Sequence, residues 1–261
     1  ASCHRCMATR RECAAPLGCG IDGRIPTMSD ISLFIGSITA LPENGRPTGI
    51  FKNPVTTSVY LTSTGFTGDE QADRSVHGGP EKAVHLYPAA HYARLGRAFP
   101  EIAGQFVPGS LGENISSPNL DESQVRIGDV FQLGEARIQV CQPRNPCWKI
   151  DARFGEAGIA VFIAEQRLTG WYFRVLQQGN VSPDDTLELA VPAASAPSLA
   201  AAMDIWHAHR PTAQALREQA ALPGIASNWQ RKIIQRADWL ENNPDQPAPK
   251  PTAFHVKPAG D

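Results

Sequence analysis

Hydrophobic and polar residues alternate along most of the central chain, which is the period of β-strands. The alternation predicts strands at 31–39, 55–61, 82–87, 129–133, 136–142, 171–176 and 186–189. Only Gly134 and Glu135 separate the fourth strand from the fifth, so these two are expected to form a hairpin. Gly179 and Asn180 indicate a turn between the last two strands. Turn residues at such short intervals are typical of a barrel or a sandwich.

Helical spacing of apolar residues appears in two places within this region and again after it. Residues 89–99 and 156–168 are predicted to be helices that cover the barrel openings. After a Pro/Ala/Ser-rich linker at 191–197 the period becomes 3.6, which predicts a three-helix unit at 197–241 with Ser227 capping the last helix. Its apolar stripes are too short to be stable alone. The unit is therefore expected to dock on the barrel or on a second subunit, which would make a homodimer.

The two ends of the chain lack periodic apolar residues. Residues 1–29 mix Cys, Arg, Gly and Pro and are predicted to be a disordered extension, with Met28 as a candidate start of the native chain. The spacing of Cys3 and Cys6 would also fit a zinc site. Residues 242–261 contain five prolines and are predicted to be a disordered tail. The β-barrel domain is thus assigned to residues 30–190.

Composition narrows the class of partner. A formal net charge of -2 over 261 residues provides no broad positive field for a nucleic acid polymer or an anionic lipid surface. The sequence has no apolar run of the roughly 20 residues that span a membrane, so small molecules are the expected partners. Four of the six cysteines lie in the first 20 residues. Because a disulfide-stabilised fold would distribute them through its core, a reducing, cytoplasmic location is expected.

The strongest chemical signal is the segment 142–149. Pro143 and Pro146 stop strand pairing and stiffen the chain, so Cys147 is expected to be exposed in a loop at a strand end. Arg144 and Lys149 flank it with positive charge, which favours the thiolate that binds metals or attacks electrophiles. The alternative is that Cys147 is a small buried apolar residue. Cys141, on the preceding strand, is interpreted as structural.

Two further loops carry polar residues that suit a ligand. Paired glycines after His77, at Gly78 and Gly79, allow successive backbone N–H groups to face one anion, although a polar turn would use the same residues. Asn114 and Asp129 lie in turn-rich segments and are turn residues when considered alone. The sequence contains neither a Walker loop nor a dinucleotide fingerprint. Isolated histidines such as His85 and His91 are expected to be packed and hydrogen bonded.

Taken in order, these segments resemble a known family. The segments are 68–73, 77–80, 111–114, 127–129 and 142–147, and together they resemble bacterial MOSC-domain proteins of the YiiM type. The family is named for the C-terminal domain of molybdenum cofactor sulfurases. The resemblance covers about residues 31–190, and the helical end resembles the three-helix domain that often follows. It implies a mainly β, α+β fold, with a β-barrel-like domain followed by a small three-helix unit.

The resemblance also implies a molybdenum cofactor (molybdopterin) with Cys147 as the metal ligand and catalytic residue. The implied cofactor or substrate contacts are His77, Gly78, Gly79, Asn114, Arg144 and Lys149, with Asp69 and Asp129 as supports. The implied activity is reduction of N-hydroxylated compounds such as hydroxylaminopurines, in a detoxification role. Because no flavin, haem or iron–sulfur pattern is visible, a separate reductase is expected to supply electrons.

Two other functions use the same cysteine. Cys147 would carry a persulfide in a sulfur carrier, but sulfurases join this domain to a pyridoxal phosphate domain for which 261 residues leave no room. The link to pyridoxal phosphate therefore comes only from the sulfurase family and not from residues of this sequence. The second alternative is a module that binds the cofactor without turning over a substrate.

Overall fold

The computed structural model of this protein describes residues 28–73, 78–246 and 248. Its strands are β1 Met28–Ser29, β2 Ser32–Ile35, β3 Thr39–Ala40, β4 Pro47–Thr48, β5 Asn53–Pro54, β6 Val59–Thr62, β7 Gly65–Phe66, β8 Val84–Pro88, β9 Ile115–Ser117, β10 Val130–Leu133, β11 Ala136–Pro143, β12 Trp171–Gln177, β13 Gly179–Val181 and β14 Leu187–Val191. Its α-helices are α1 Ala90–Ala98, α2 Lys149–Phe154, α3 Ile159–Glu165, α4 Leu199–His207, α5 Ala213–Ala220 and α6 Ser227–Asn242. Short 3-10 helices occupy Pro80–Lys82 and Pro100–Gln105.

One large curled sheet organises the molecule. Within the described residues its strand order is β1-β14-β10-β11-β12-β8-β9-β2-β5, and smaller sheets contain β13-β6-β7 and β3-β4. Neighbouring strands are antiparallel except β8 and β9, which are parallel and joined through α1. The sheet forms a half-barrel. The predicted mainly β, α+β fold is confirmed, and so is the hairpin, in which Leu133 pairs with Ala136.

Two apolar cores lie on this framework. The larger core joins the sheet to the C-terminal helices, so that Phe131 and Val140 belong to the same cluster as Leu199 and Ile233. The smaller core lies under α1, α2 and α3 and is centred on Leu95, Ile150 and Ile163. The prediction that the three C-terminal helices dock on the barrel is therefore confirmed, because their apolar faces are buried against the sheet.

Several predicted elements differ in the structure. The sequence failed to predict α2, which spans only six residues directly after the proline-rich loop. The helix predicted at 156–168 is shorter, because Gly158 has φ 91° and precedes the first helical residue. The turn predicted at Gly179 and Asn180 is wrong, since both lie in β13 paired with β6. The strand predicted at 55–61 begins at Val59.

The predicted cap of α6 is also wrong. Ser227 is the first residue of the helix, and Ala226 occupies the cap position. The Glu81 carboxylate, distant in sequence, accepts hydrogen bonds from the Ser227 backbone N and Oγ at 3.0 Å. Because the partner is 146 residues away, sequence patterns near the helix could not reveal it.

The predictions for the chain ends fall mostly outside the described residues. This holds for residues 1–27, with the zinc site at Cys3 and Cys6, and for most of 242–261. Met28 and Ser29 form β1 against β14, so the extension assigned to 1–29 ends before Met28. The Arg210 guanidinium donates to the carbonyls of Asn243 and Gln246, which orders the start of the predicted tail. No helix in the described part of the chain is both long and apolar enough to cross a membrane.

Candidate functional site

A cleft at one edge of the half-barrel brings together most of the predicted site residues. It encloses about 640 Å³, including space open to solvent, between β8, the end of β11, β12 and the loops at 48–52, 69–73 and 112–114. Six predicted residues line it: Asp69, Gly78, Asn114, Arg144, Cys147 and Lys149. Lys82 lines it as well.

Cys147 lies in the wall of this cleft, between β11 and α2. It is 3% exposed, so the expectation of an exposed thiol is wrong. The Ile150 N–H donates to the Cys147 carbonyl at 3.0 Å, and Ile150 packs fully into the smaller core. This turn draws the cysteine inward while its side chain still borders the cleft. A buried thiol in a polar cavity is shielded from bulk solvent but reachable by a ligand that fits the cavity.

Arg144 is a buried cation with an unused hydrogen-bond donor. It is 7% exposed, and its Nη2 donates to the Leu111 carbonyl at 3.1 Å. Its backbone N–H donates to the Gly170 carbonyl at 3.0 Å. Its Nη1 has no hydrogen-bond partner among the described residues. Because leaving a buried donor of a charged group unpaired is costly, Nη1 is a candidate contact for a negatively charged ligand.

His85 and Tyr172 form an aromatic wall that sequence reasoning did not identify. They pair across β8 and β12, and their ring centroids are 5.3 Å apart. Burial, followed by the charge of Arg144, lowers the pKa of His85 well below its usual value, so the imidazole is neutral at neutral pH. The backbones of Thr169 and Gly112 lie close enough to the ring to offset part of this effect, while Nε2 itself has no partner of good hydrogen-bond geometry among the described residues. Burial also raises the pKa of Tyr172.

Asp69 and Asn114 line the cleft, but their polar atoms hold the wall together. The Asp69 carboxylate accepts from the Gly36 backbone N at 2.9 Å, from Asn114 Nδ2 at 3.0 Å and from the Lys52 ammonium. Asn114 also donates to the Phe34 carbonyl and accepts from the His85 backbone N at 3.1 Å. Lys52, which sequence reasoning missed, is thus tied to this network. These groups fix the shape of the site, and their proposed contact with a cofactor stays a prediction.

Asp129 is not in the cleft. Its carboxylate accepts from the backbone N–H groups of Arg126 and Ala193, both at 2.7 Å. These bonds close the turn before β10 and fasten the linker that follows β14. Burial raises the pKa of Asp129, while the two backbone donors partly offset that effect. Its assignment as a support of the cofactor is corrected to a structural role, because both oxygens accept from backbone N–H groups and Asp129 does not line the cleft.

The remaining predicted residues are His77, Gly78, Gly79 and Lys149. Gly78 and Gly79 have φ of 140° and 87°, values that residues with a Cβ rarely adopt. Among the described residues, apart from its two chain neighbours, none has an atom within 4 Å of the position where a Gly79 Cβ would be. His77 lies outside the described residues. The Lys149 ammonium donates to the Pro47 carbonyl at 3.1 Å. For Lys82, which also lines the cleft, burial and then the positive charge of Lys232 lower the pKa of the ammonium group.

The donor set excludes one kind of metal centre. Within the part of the chain that the structure describes, no three His, Cys, Asp or Glu side chains are grouped to hold a metal ion. A metal bound among these residues would therefore need further ligands from a bound group.

Comparison with known proteins agrees with this architecture. Residues 73–188 match the MOSC domain family model. The Escherichia coli protein YiiM is 40% identical over 206 residues, which cover 79% of this chain and 91% of YiiM. The Bacillus subtilis protein YflK is 36% identical over 214 residues, covering 81% of this chain and 96% of YflK.

A solved structure and a longer relative extend the comparison. The crystal structure of Escherichia coli YiiM superposes with a TM-score of 0.70 and 30% identity, covering 82% of this chain and 94% of that structure. A Gibberella moniliformis protein named "Reductase" is 36% identical over 141 residues, which are 54% of this chain but 25% of that protein. The cleft, the half-barrel and these similarities agree, and the chain belongs to the MOSC-domain family.

Proposed function

We propose that this protein is a molybdenum-cofactor-dependent reductase of N-hydroxylated compounds, with Cys147 as the protein ligand of molybdenum. The observation that carries the proposal is that one cleft is lined both by Cys147, a soft ligand, and by buried Arg144, whose Nη1 has no hydrogen-bond partner among the described residues. Membership of the MOSC family and a relative named "Reductase" support an oxidoreductase associated with the molybdenum cofactor.

The residues of the cleft fit such a cofactor. A thiolate is a soft ligand that suits a redox metal carrying further sulfur ligands. The pterin side chain ends in a phosphate, for which Arg144 Nη1 supplies a buried donor and the Gly78–Gly79 backbone and Lys149 supply groups at the rim. The described residues hold no group of three or more His, Cys, Asp or Glu side chains that could bind a metal, which matches a metal whose other ligands belong to the cofactor.

The reaction consumes two electrons and two protons: R–NH–OH becomes R–NH₂ and water as the N–O bond breaks. When bound, the molybdenum cofactor supplies the two-electron chemistry, and a separate electron-donating reductase replenishes it. Cys147 fixes the position of the reacting centre, and Arg144 holds the anionic end of the cofactor. Neutral His85 can hold or release one proton at its unpartnered Nε2 in the wall.

The aromatic wall favours flat substrates. Tyr172 borders the cleft beside His85, and its ring offers an apolar face on which a base can stack. This arrangement supports hydroxylamino-purines and related base analogues as the substrate class. A bound base would also exclude water from the reacting N–O bond.

The test uses two cysteine variants made in a host that synthesises the cofactor. Cys147→Ser should lose molybdenum and pterin, measured by elemental mass spectrometry and by fluorescence of the oxidised pterin. The matched control, Cys141→Ser, changes a cysteine that is fully buried on β11 and should retain both. Full metal retention by Cys147→Ser would reject the ligand assignment.

Activity is measured separately, with reduced viologen as electron donor and 6-N-hydroxylaminopurine as substrate. The wild-type protein should reduce the substrate, and Cys147→Ser should not. Loaded wild-type protein that fails to reduce any N-hydroxylated compound would leave a cofactor-binding module as the better description. A persulfide found on Cys147 by intact-mass analysis would favour the sulfur carrier.

A further inference from the structure

A second cavity lies behind the wall of the cleft. It encloses about 580 Å³, including space open to solvent, and is bordered by α1, α4 and the loop around 121–123. His91 and Glu122 are buried at its inner side, where His91 Nε2 lies 2.8 Å from Glu122 Oε2. The two cavities share no lining residue, so a separate set of side chains lies between them.

Tyr87 connects the two cavities. It is fully buried on β8, two residues after His85, and their ring centroids are 6.2 Å apart. On its other side, the Tyr87 ring centroid is 5.4 Å from that of His91. His85, Tyr87, His91 and Glu122 therefore form an unbroken row of side chains from the cleft to the second cavity.

Three consecutive members of this row have unsatisfied polar atoms. These are His85 Nε2, Tyr87 Oη and His91 Nδ1, none of which has a hydrogen-bond partner among the described residues. Leaving such an atom unpaired costs about 1–3 kcal/mol. Unsatisfied polar atoms on three neighbouring buried side chains are groups that buried, ordered water molecules can bridge.

A neighbouring tyrosine, Tyr92, shows that unsatisfied polar atoms are not a general property of this part of the core. Tyr92 lies beside Tyr87 with ring centroids 5.4 Å apart, and it is also buried. Its hydroxyl donates to the Glu113 carboxylate and lies 3.2 Å from Ser116 Oγ. The same part of the core thus satisfies one tyrosine hydroxyl fully and leaves the other unpaired.

The charges along the row suit proton transfer. Burial, followed by the negative charge of Glu122, raises the pKa of Tyr87 well above its usual value, so its hydroxyl keeps a proton to pass on. His85 is neutral and has a nitrogen available. Each group can accept a proton on one side as it releases one on the other.

We propose that Glu122, His91 and Tyr87, bridged by ordered water, form a proton path from the second cavity to His85 at the cleft. The inference rests on the proposed function, because reduction of R–NH–OH to R–NH₂ and water consumes two protons. A reduced electron donor, viologen in the assay, supplies the two electrons, and bulk solvent supplies the protons. Cofactor and substrate would fill the mouth of the cleft, so a second route keeps the reacting centre supplied.

Tyr87→Phe and Tyr92→Phe form a matched test in the cofactor-loaded protein. Tyr87→Phe should retain its molybdenum and its KM, while kcat falls about tenfold or more and the solvent deuterium isotope effect on kcat rises. Tyr92→Phe should lower Tm, since it loses satisfied hydrogen bonds, and leave the isotope effect unchanged. A kcat and an isotope effect for Tyr87→Phe equal to those of the wild type would overturn the path.

Chemical rescue provides a second variant. His91→Gly should slow turnover, and added imidazole, which the second cavity has room to admit, should restore part of the rate. A purely structural role for His91 would not give a rate that depends on imidazole. Failure of imidazole to restore any rate in a folded, molybdenum-loaded His91→Gly protein would count against the path.

The water positions test the path without any turnover. A high-resolution structure of the wild-type full chain should show ordered water within hydrogen-bond distance of Tyr87 Oη, and Tyr87→Phe should lose it. If no ordered water lies within hydrogen-bond distance of Tyr87 Oη, the path is rejected even if the protein is a reductase. If ordered water is present along the row but cofactor-loaded wild-type protein is inactive, the proposed function is rejected, while the water-bridged connection between the cavities is retained.

Discussion

The surroundings of Cys141 and Cys147 differ although both cysteines are buried and only six residues apart. Cys141 lies in the larger core, where its Sγ contacts the carbonyl oxygens of Glu81 and Tyr172 at 3.1 and 3.4 Å. Burial raises its pKa to about 12. Cys147 borders a polar cavity beside Arg144. Burial alone therefore does not separate a structural cysteine from a functional one, whereas the neighbouring groups and the adjoining cavity do.

The largest difference between the two cysteines is expected in their rates of alkylation. At pH 8, a thiol with a pKa of about 12 is ionised in roughly one molecule in ten thousand. Iodoacetamide should therefore modify Cys141 very slowly, and Cys147, which lines the cleft, at least about tenfold faster in the folded full chain without cofactor. Tryptic cleavage after Arg144 puts the two cysteines on separate peptides, so mass spectrometry can follow each one. Similar rates for both would remove the distinction.

A smaller effect is expected when the charge beside Cys147 is removed. Arg144→Gln should lower pterin affinity about tenfold, because a hydrogen bond to a charged group contributes about 1.5–3 kcal/mol. The control is Arg174→Gln, which changes an arginine that bonds Glu81 and the Ile225 carbonyl outside the cleft. Pterin retained per protein after dialysis measures the effect. Equal losses in the two variants would show that the Arg144 position is not special.

The cleft wall should also respond to pH through Glu113. This fully buried carboxyl accepts from the backbone N–H groups of Gly109 and Leu111 at 2.5 and 2.9 Å, and burial raises its pKa. A raised pKa in the folded state means that stability is gained as pH falls through that value towards the ordinary value of 4.5, and lost as pH rises. In Glu113→Gln, urea denaturation over this range should show a weaker dependence on pH.

An exposed carboxylate gives the opposite sign and serves as the control. Hydrogen bonds from Asn180 lower the pKa of Glu135. Its contribution to stability is therefore present above the ordinary value of 4.5 and is lost as pH falls through the lower folded value. Glu135→Gln should make stability at acidic pH less sensitive to further acidification. The same trend in both variants would contradict the assignment of Glu113 as a buried carboxyl with a raised pKa.

The smallest effect is expected near Cys141. Glu81→Gln should weaken the hydrogen bonds to Ser227 and Arg174 and lower the free energy of unfolding by about 1 kcal/mol. The control is Glu218→Gln, because the Glu218 carboxylate accepts from Gln214 on an exposed face. This variant should change the free energy of unfolding much less. Urea denaturation measures both. Equal values for the two would mean that Glu81 contributes little to the attachment of α6.

The sequence was informative where the pattern is local. Alternation predicted β10, β11 and β12 well, because each strand buries one face and the hairpin turn is set by adjacent residues. The six residues of α2 were missed because so short a helix offers less than two turns of spacing. The strand predicted at 31–39 is interrupted after Ile35, where Gly36 approaches the Phe51 carbonyl too closely for a side chain.

The cleft was harder to predict because distant pairings assemble it. Cys147, Arg144 and Gly78 were identified from local composition, and all three line the cleft. Tyr172 and Lys52 were missed, since neither belongs to a motif and only pairing and ion contact bring them there. Asp129 was misplaced because a turn aspartate and a ligand-contacting aspartate look alike in sequence.

The Asp69 network has a consequence for how the chain folds. It joins Gly36, Lys52, Asp69 and Asn114, which lie far apart in the chain, and Asn114 also accepts from the His85 backbone N in β8. Contacts between residues so far apart require large loops to close first, which makes them late events in folding. The cleft wall should therefore be completed near the end of folding, so a ligand of the cleft would be loaded into an already folded protein.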